Sequence, residues 1–382
     1  MEFDPLDPDV LDDPHARYAD LRRTCPVAHS DRWNGFWALF RYDDVRRVAA
    51  DPRTFTTTVQ NVVPKVAFTG RRPPMHFDPP EHTPYRRALD PLLTAARAAV
   101  FEPAVRVRAR ELLDDLVTGE PVDIAAGYAA QLPVFTFARF LNVDAAAMDT
   151  IRRAWLVYNR ALQDADDATV KEQSLVLYGI ARDLVDERRA RPLPDDPASA
   201  LLAADLPDAY VVGTVRQVMV TGMVAPTVTL SSAIGHLAGD PALQDRLRAG
   251  PELLPAAIEE LLRLYSPYRG FARTPRHDVE VGGRTISAGA PVAMTFTSAS
   301  RDEAVFAAPD EFRLGRPTRH LAFGLGPLRC AGAELARMQL RVGLGELLAR
   351  TRSITPAGPP EMTRWPEYGP VGLPVRLDTV IA

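Results

Sequence analysis

Apolar residues recur every three or four positions through much of the chain and predict a mainly helical protein. Helices are predicted over His15–Arg23, Asp43–Ala50, Val105–Leu116, Ile124–Leu141, Asp144–Gln163 and Val170–Arg191, with breaks at Gly119-Glu-Pro121 and Pro192–Pro197. Ala209–Ala238 is apolar on every face, so it predicts a buried helix, with Asp208 as its cap. Pro255–Leu264 is amphipathic, and a last apolar helix runs to about Arg350. Strand-like stretches are fewer and short: Phe36–Phe40, Val279–Ile286 around a Gly282-Gly283 turn, Pro291–Thr297, and a closing hairpin over Trp365–Val375 whose tip is expected to reach a pocket. Residues 1–12 predict a loose arm.

The chain has 382 residues, enough by length for two or three domains. Its 46% hydrophobic and 25% charged residues are those of a soluble globular protein. The net charge of -4 and the lack of a basic tail argue against nucleic acid as a partner. No run of about 18 apolar residues stands out and the N-terminus is acidic, so no membrane partner and a cytoplasmic location are expected. Two cysteines, Cys25 and Cys330, suit a reducing compartment.

Chemistry concentrates in Phe323-Gly-Leu-Gly-Pro-Leu-Arg-Cys-Ala-Gly-Ala-Glu-Leu-Ala-Arg337. Gly324 and Gly326 permit a tight turn, and Gly332 permits close approach of backbone to something flat. Cys330 then opens a helix, where free N–H groups and the helix dipole favour a thiolate. A thiolate there is a ligand for a soft metal centre, haem iron foremost. A dinucleotide site is excluded, because Arg329 stands where the third glycine belongs. A second block, Met75-His-Phe-Asp-Pro-Pro-Glu-His-Thr-Pro-Tyr-Arg-Arg87, places His82 and Arg86 on one helical face, with Asp78 as a candidate cap. Pattern alone also allows a solvated polar face.

Together these blocks resemble the cytochrome P-450 family, the haem-thiolate monooxygenases, from the Trp33 strand to the Val371 tail. The resemblance implies one domain over residues 1–382, mainly α with a small β-rich lobe, and haem b between the central helix and the Cys330 loop. It implies that Cys330 is the metal ligand and that His82, Arg86 and Arg273 meet the propionates. Phe323, Gly324 and Gly332 would complete the cradle. Glu260 and Arg263, with Arg316, match a structural Glu-x-x-Arg lock. Tyr268, Phe271, Met223 and Ala225 fall where substrate passes, with Thr56–Val66 as a lid. Dioxygen activation would then hydroxylate or O-demethylate a small hydrophobic, aromatic or biosynthetic substrate. Oxidative coupling, and a haem protein that binds ligand without turnover, are the alternatives. With no electron-carrier domain apparent, electrons would come from a ferredoxin and its reductase or from a flavin protein, docking on Arg329, Arg337 and Arg341.

Two departures from the family pattern stand out. The central helix reads Thr221-Gly222-Met223-Val224-Ala225-Pro226-Thr227, so Val224 and Ala225 replace the family's acid and alcohol. Pro226 would free the Gly222 carbonyl and kink or widen the helix. A water held there, beside Thr221 and Thr227, would carry protons, or the substrate would. Leu328 replaces a family propionate ligand, leaving His320 as a possible substitute.

Overall fold

A computed structural model describes residues 2–65, 69–164, 166–317 and 319–379, apart from the side chains of Ala145 and Gln163. Helices dominate, and the largest apolar cluster lies among them. Asp208–Ala238 runs through its middle for 31 residues, about 46 Å at the usual rise per residue. Its buried positions, among them Val211, Val215, Met219, Met223 and Leu230, fall on all sides, as its unbroken apolarity requires. It is also the helix, among the described residues, long and apolar enough to cross a membrane. In the structure 67% of its most apolar window is buried inside the protein. Pro207 precedes the helix, and Asp208 pairs with Arg189 at 2.9 Å instead of capping. The helix continues unbroken through Pro226.

Around it pack Gln131–Phe140, Ala145–Gln163, Asp167–Ala190 and Ala333–Arg350, and Ala95–Leu116 packs outside them on Ala333–Arg350 and Gln131–Phe140. Ala95–Leu116 begins ten residues before its apolar periodicity, because Thr94 caps it and Pro103 is tolerated within it. The predicted Ile124–Leu141 helix is instead a π-turn over Ala125–Ala129 followed by an α-helix.

The β-rich lobe is a five-stranded sheet in the order Val27–Ser30, Phe36–Leu39, Val292–Met294, Phe271–Pro275, Phe55–Thr56. Phe36–Leu39 and Val292–Met294 are parallel and the other pairs antiparallel. The register sets Arg273 opposite Val292, next to the helical body. The Gly282-Gly283 turn forms as predicted, with φ of 56° and 77°. The N-terminal arm is not loose: Phe3 is 2% exposed and packs on Tyr18, Phe36, Phe40 and Trp365.

Candidate active site

A cavity of about 290 Å³ lies between the central helix and the Cys330 loop. The loop is held open by its glycines. Gly324 and Gly326 take φ of 65° and 73°, and a Cβ at Gly326 would press within 3.1 Å of Ala50. The Cys330 N–H donates to the Phe323 carbonyl at 2.9 Å and closes the turn. Arg86, on the Thr83–Leu89 helix, clamps the loop: its Nη1 donates to the Arg329 carbonyl at 2.8 Å, while its Nε donates to Asp90 at 2.6 Å. The helix that follows begins at Ala333, with Gly332 before it.

Of the two cysteines, Cys330 lines the cavity and Cys25 does not. The Cys330 side chain opens onto cavity space and is enclosed by protein elsewhere. Burial pushes its thiol up, against the pull of the Gly332 N–H and of the Arg86, Arg329 and Arg337 charges. The easily ionised thiol expected from the helix start is therefore not what the protein alone provides. A positively charged metal against the sulfur would reverse that direction.

Other lining residues fit a flat, dianionic group. Arg273 is 7% exposed, and its described hydrogen bond is to the Ala272 carbonyl. Burial lowers its pKa to about 10, with Asp78 opposing, so it remains a cation at neutral pH. His82 is 5% exposed with an unpartnered buried Nδ1. Burial and the neighbouring Arg86 charge pull its pKa down, so it is neutral. A cation and an N–H buried without a carboxylate are costly unless an anion meets them. A Cβ at Gly324 or Gly332 would meet open space, as a cradle for a large planar ring requires.

Thr221, Gly222, Ala225, Tyr268, Phe271 and Phe323 also line the cavity. Gly222 has a packing reason: a Cβ there would overlap the Phe137 ring.

Several expected residues lie elsewhere. Met223 is 2% exposed and turned into the helical core, nearly half a turn from Ala225 on the cavity face. Thr227 donates to the Met223 carbonyl at 2.7 Å and is not in the lining. His320 faces the opposite way, its Nε2 3.1 Å from Glu259 and its Nδ1 accepting from the Ala322 N–H. Asp78 caps no helix: it accepts from Thr56 and the Thr57 N–H and pairs with Arg276 at 2.8 Å. Thr57 and Asn61 are the lid residues that reach the lining; Val66 lies outside the described residues. The Trp365–Val375 tail contributes nothing to the wall.

Thr229 and Gln339 are among the polar lining residues that were missed. Thr229 stands one turn beyond Ala225 on the same helical face, and Gln339 lies nine residues after Cys330 with its Oε1 buried and unpartnered. Four-residue spacing would have found Thr229; Gln339 carries no sequence signal.

Glu260 and Arg263 are not an exposed pair. They lie 1% and 0% exposed, joined by two 2.8 Å hydrogen bonds. Arg316 joins the same carboxylate at 2.9 Å, and Arg263 also binds the carbonyls of Ser300 and Pro309.

A cysteine-bearing loop facing a long apolar helix, with buried cationic and N–H donors around the intervening cavity, defines a haem-thiolate protein. The "Cytochrome P450" family model matches residues 251–372. Mycinamicin IV hydroxylase/epoxidase of Micromonospora griseorubida is 34% identical over 379 residues, 94% of each chain. Linalool 8-monooxygenase of Pseudomonas putida is 33% identical over 373 residues, 89% of each. The solved structure of cytochrome P450 CYP109Q5 from Chondromyces apiculatus superposes with a TM-score of 0.89 at 30% identity, covering 100% of this chain and 99% of that one. The chain belongs to the cytochrome P450 family. It is a haem b monooxygenase with a cysteine thiolate axial ligand, acts on small molecules and needs a redox partner.

Proposed function

We propose that Cys330 supplies the thiolate, that Arg273, His82 and Arg86 hold the propionates, and that residues 1–382 act as one haem-binding unit. The observation that carries this is the placement of Cys330 and a buried Arg273, whose described hydrogen bond goes to a backbone carbonyl and not to a carboxylate, in the wall of one cavity. When bound, haem supplies reductive activation of dioxygen. The chain places the substrate, excludes bulk water and delivers protons.

The lining is dominated by Leu89, Leu93, Phe137, Phe140, Phe271 and Phe296, which suits a mainly hydrophobic substrate. Hydroxylation or O-demethylation is the reaction read from this site. Val224 and Ala225 can hold no proton, and the Thr221 hydroxyl is committed to the Gln217 carbonyl at 3.0 Å. Thr229 Oγ1 and Gln339 Oε1 are the polar atoms on the cavity wall suited to orient water for proton delivery, with the substrate as a second proton source.

Electrons come from a separate ferredoxin or flavin protein, with the chain working in the cytoplasm. The docking face is narrower than the sequence suggests. Arg337 pairs with Glu259 at 2.7 Å and Arg341 is tied to Glu102, which leaves Arg329 as the exposed, unpaired cation of the three among the described residues. The test is the spectrum of the reduced, carbon-monoxide-bound protein. A thiolate-type band that is lost in Cys330→Ala is expected; a band that survives the substitution refutes the assignment. Product mass separates oxygen insertion or methylene loss from loss of two hydrogens.

A further inference from the structure

A second charged site borders the cavity, on the side away from Cys330. Arg72 precedes the turn to His76, and Arg216 lies in the first half of the central helix. Arg72 is 9% exposed and Arg216 is 1% exposed, and each has a buried Nε without a hydrogen-bond partner. His76 stands between them and the cavity: its Nε2 is 3.3 Å from Arg72 Nη2 and 3.2 Å from Asn61 Oδ1. The charged groups acting on His76 are Arg72, Arg71 and Arg216, all cationic. With burial first and these charges next, its pKa falls to about 3, so it is neutral. Among the described residues, no carboxylate pairs with any of the three arginines.

Such a cluster is expensive to bury. Two guanidinium groups repel, and burial with the neighbouring Arg72 charge lowers the Arg216 pKa to about 10. The rings of Tyr158 and Tyr178 lie 5.2 and 5.9 Å from the Arg216 guanidinium and offset part of its cost. Arg72 has no ring over it among the described residues, and although Tyr158 also hydrogen-bonds the Arg216 guanidinium, the Nε of each arginine stays without a partner. Hydroxyls complete the surroundings: Ser174 is 3.5 Å from Arg216 and 2.6 Å from Thr69. Buried cations of this kind are compensated by an anion, and the described residues offer none.

The cluster connects to the cavity through its wall. Asn61, Met75 and Gln217 line the cavity, and the Met75 sulfur takes Asn61 Nδ2 at 2.8 Å and Gln217 Nε2 at 3.6 Å. An unbranched thioether is a movable partition.

We propose that Arg72 and Arg216 bind the carboxylate of an amphipathic substrate whose apolar body fills the cavity over Cys330. This rests on the monooxygenase reading and narrows its substrates to apolar carboxylic acids. The carboxylate accepts from the two free Nε–H groups, and Met75 swings aside to admit it. The anchored end then fixes which carbon lies over Cys330.

The experiment uses the full-length, haem-loaded protein. Straight-chain and ω-phenyl carboxylic acids of about eight to fourteen carbons are titrated alongside their methyl esters, read by the haem absorption shift and by thermal unfolding. At least one acid is expected to bind about tenfold or more tighter than its ester, the effect of one charge-assisted hydrogen bond. Arg72→Leu and Arg216→Gln are expected to remove that preference and leave ester affinity within about twofold. Equal binding of acid and ester by the unaltered protein, no acid binding in the series, or equal stabilisation by acetate overturns the proposal, and none of these needs a variant that folds. An acid preference that persists in both variants overturns it as well. The carbon-monoxide spectrum separates the two readings: a normal thiolate band with no acid preference sinks this inference alone.

Discussion

The two walls of the cavity are built on opposite principles. On the Cys330 side polar groups are answered within the protein. Glu260 is shared by Arg263 and Arg316, Arg86 clamps the loop carbonyls, and Glu259 takes both Arg337 and His320. On the central-helix side the wall is apolar, with Thr229 on it, and behind it the buried Arg72–Arg216 cluster is left open; Gln339, on the helix that follows the loop, is the exception on the Cys330 side, with its Oε1 unpartnered. The closed network fixes where the Cys330 sulfur sits. The open groups belong to whatever binds, so substrate and proton path are decided there.

Breaking the closed side should have the largest effects. Cys330→Ala is expected to abolish the thiolate band and reduce turnover to background, measured as product per haem. Glu260→Gln strips a buried carboxylate from two arginines and is expected to cost about 3–5 kcal/mol in denaturant unfolding, with haem loss following. Arg273→Leu removes one charge-assisted contact, about 1.5–3 kcal/mol, and should speed haem transfer to an acceptor apoprotein by roughly tenfold or more with little change in unfolding.

The closed side also predicts a pH response. Burial alone would raise the Glu259 pKa, but hydrogen bonds from Arg337 and His320 and their charges bring it down to about 2. A carboxylate depressed by folding contributes stability above its unfolded value near 4.5, and that contribution disappears as pH falls toward 2. Acid unfolding should therefore steepen across that window, and Glu259→Gln should flatten it. The smallest change is expected on the open side. Ala225→Thr restores one hydroxyl where protons already have another route, so product formed per electron consumed should move by less than about twofold. A larger rise would show that the missing alcohol limits the enzyme.

The family resemblance put Cys330, His82, Arg86 and Arg273 at the cavity, and all four line it, because each sits in a dense, glycine- or proline-marked string that the resemblance could match residue by residue. Tyr268 and Phe271 were placed by the same resemblance, and both line the cavity. Met223, Thr227 and His320 were misplaced because their orientation depends on the rotation of a helix or the partner across a gap. Met223 differs from Ala225 by two residues, which turns it from cavity to core. His320 was drawn to Glu259, which lies 61 positions earlier in the chain.

Periodicity and local turn chemistry thus determined the helical class, the buried central helix, the Gly282-Gly283 turn and the Cys330 loop, because each is settled by contacts within a few residues. The tertiary structure alone decided that Glu260 is buried, that Gln339 and Thr229 face the cavity, and that Arg72 meets Arg216 without an acid between them. Those outcomes turn on which distant side chains share one desolvated space, and in such a space an unanswered charge or N–H costs the most.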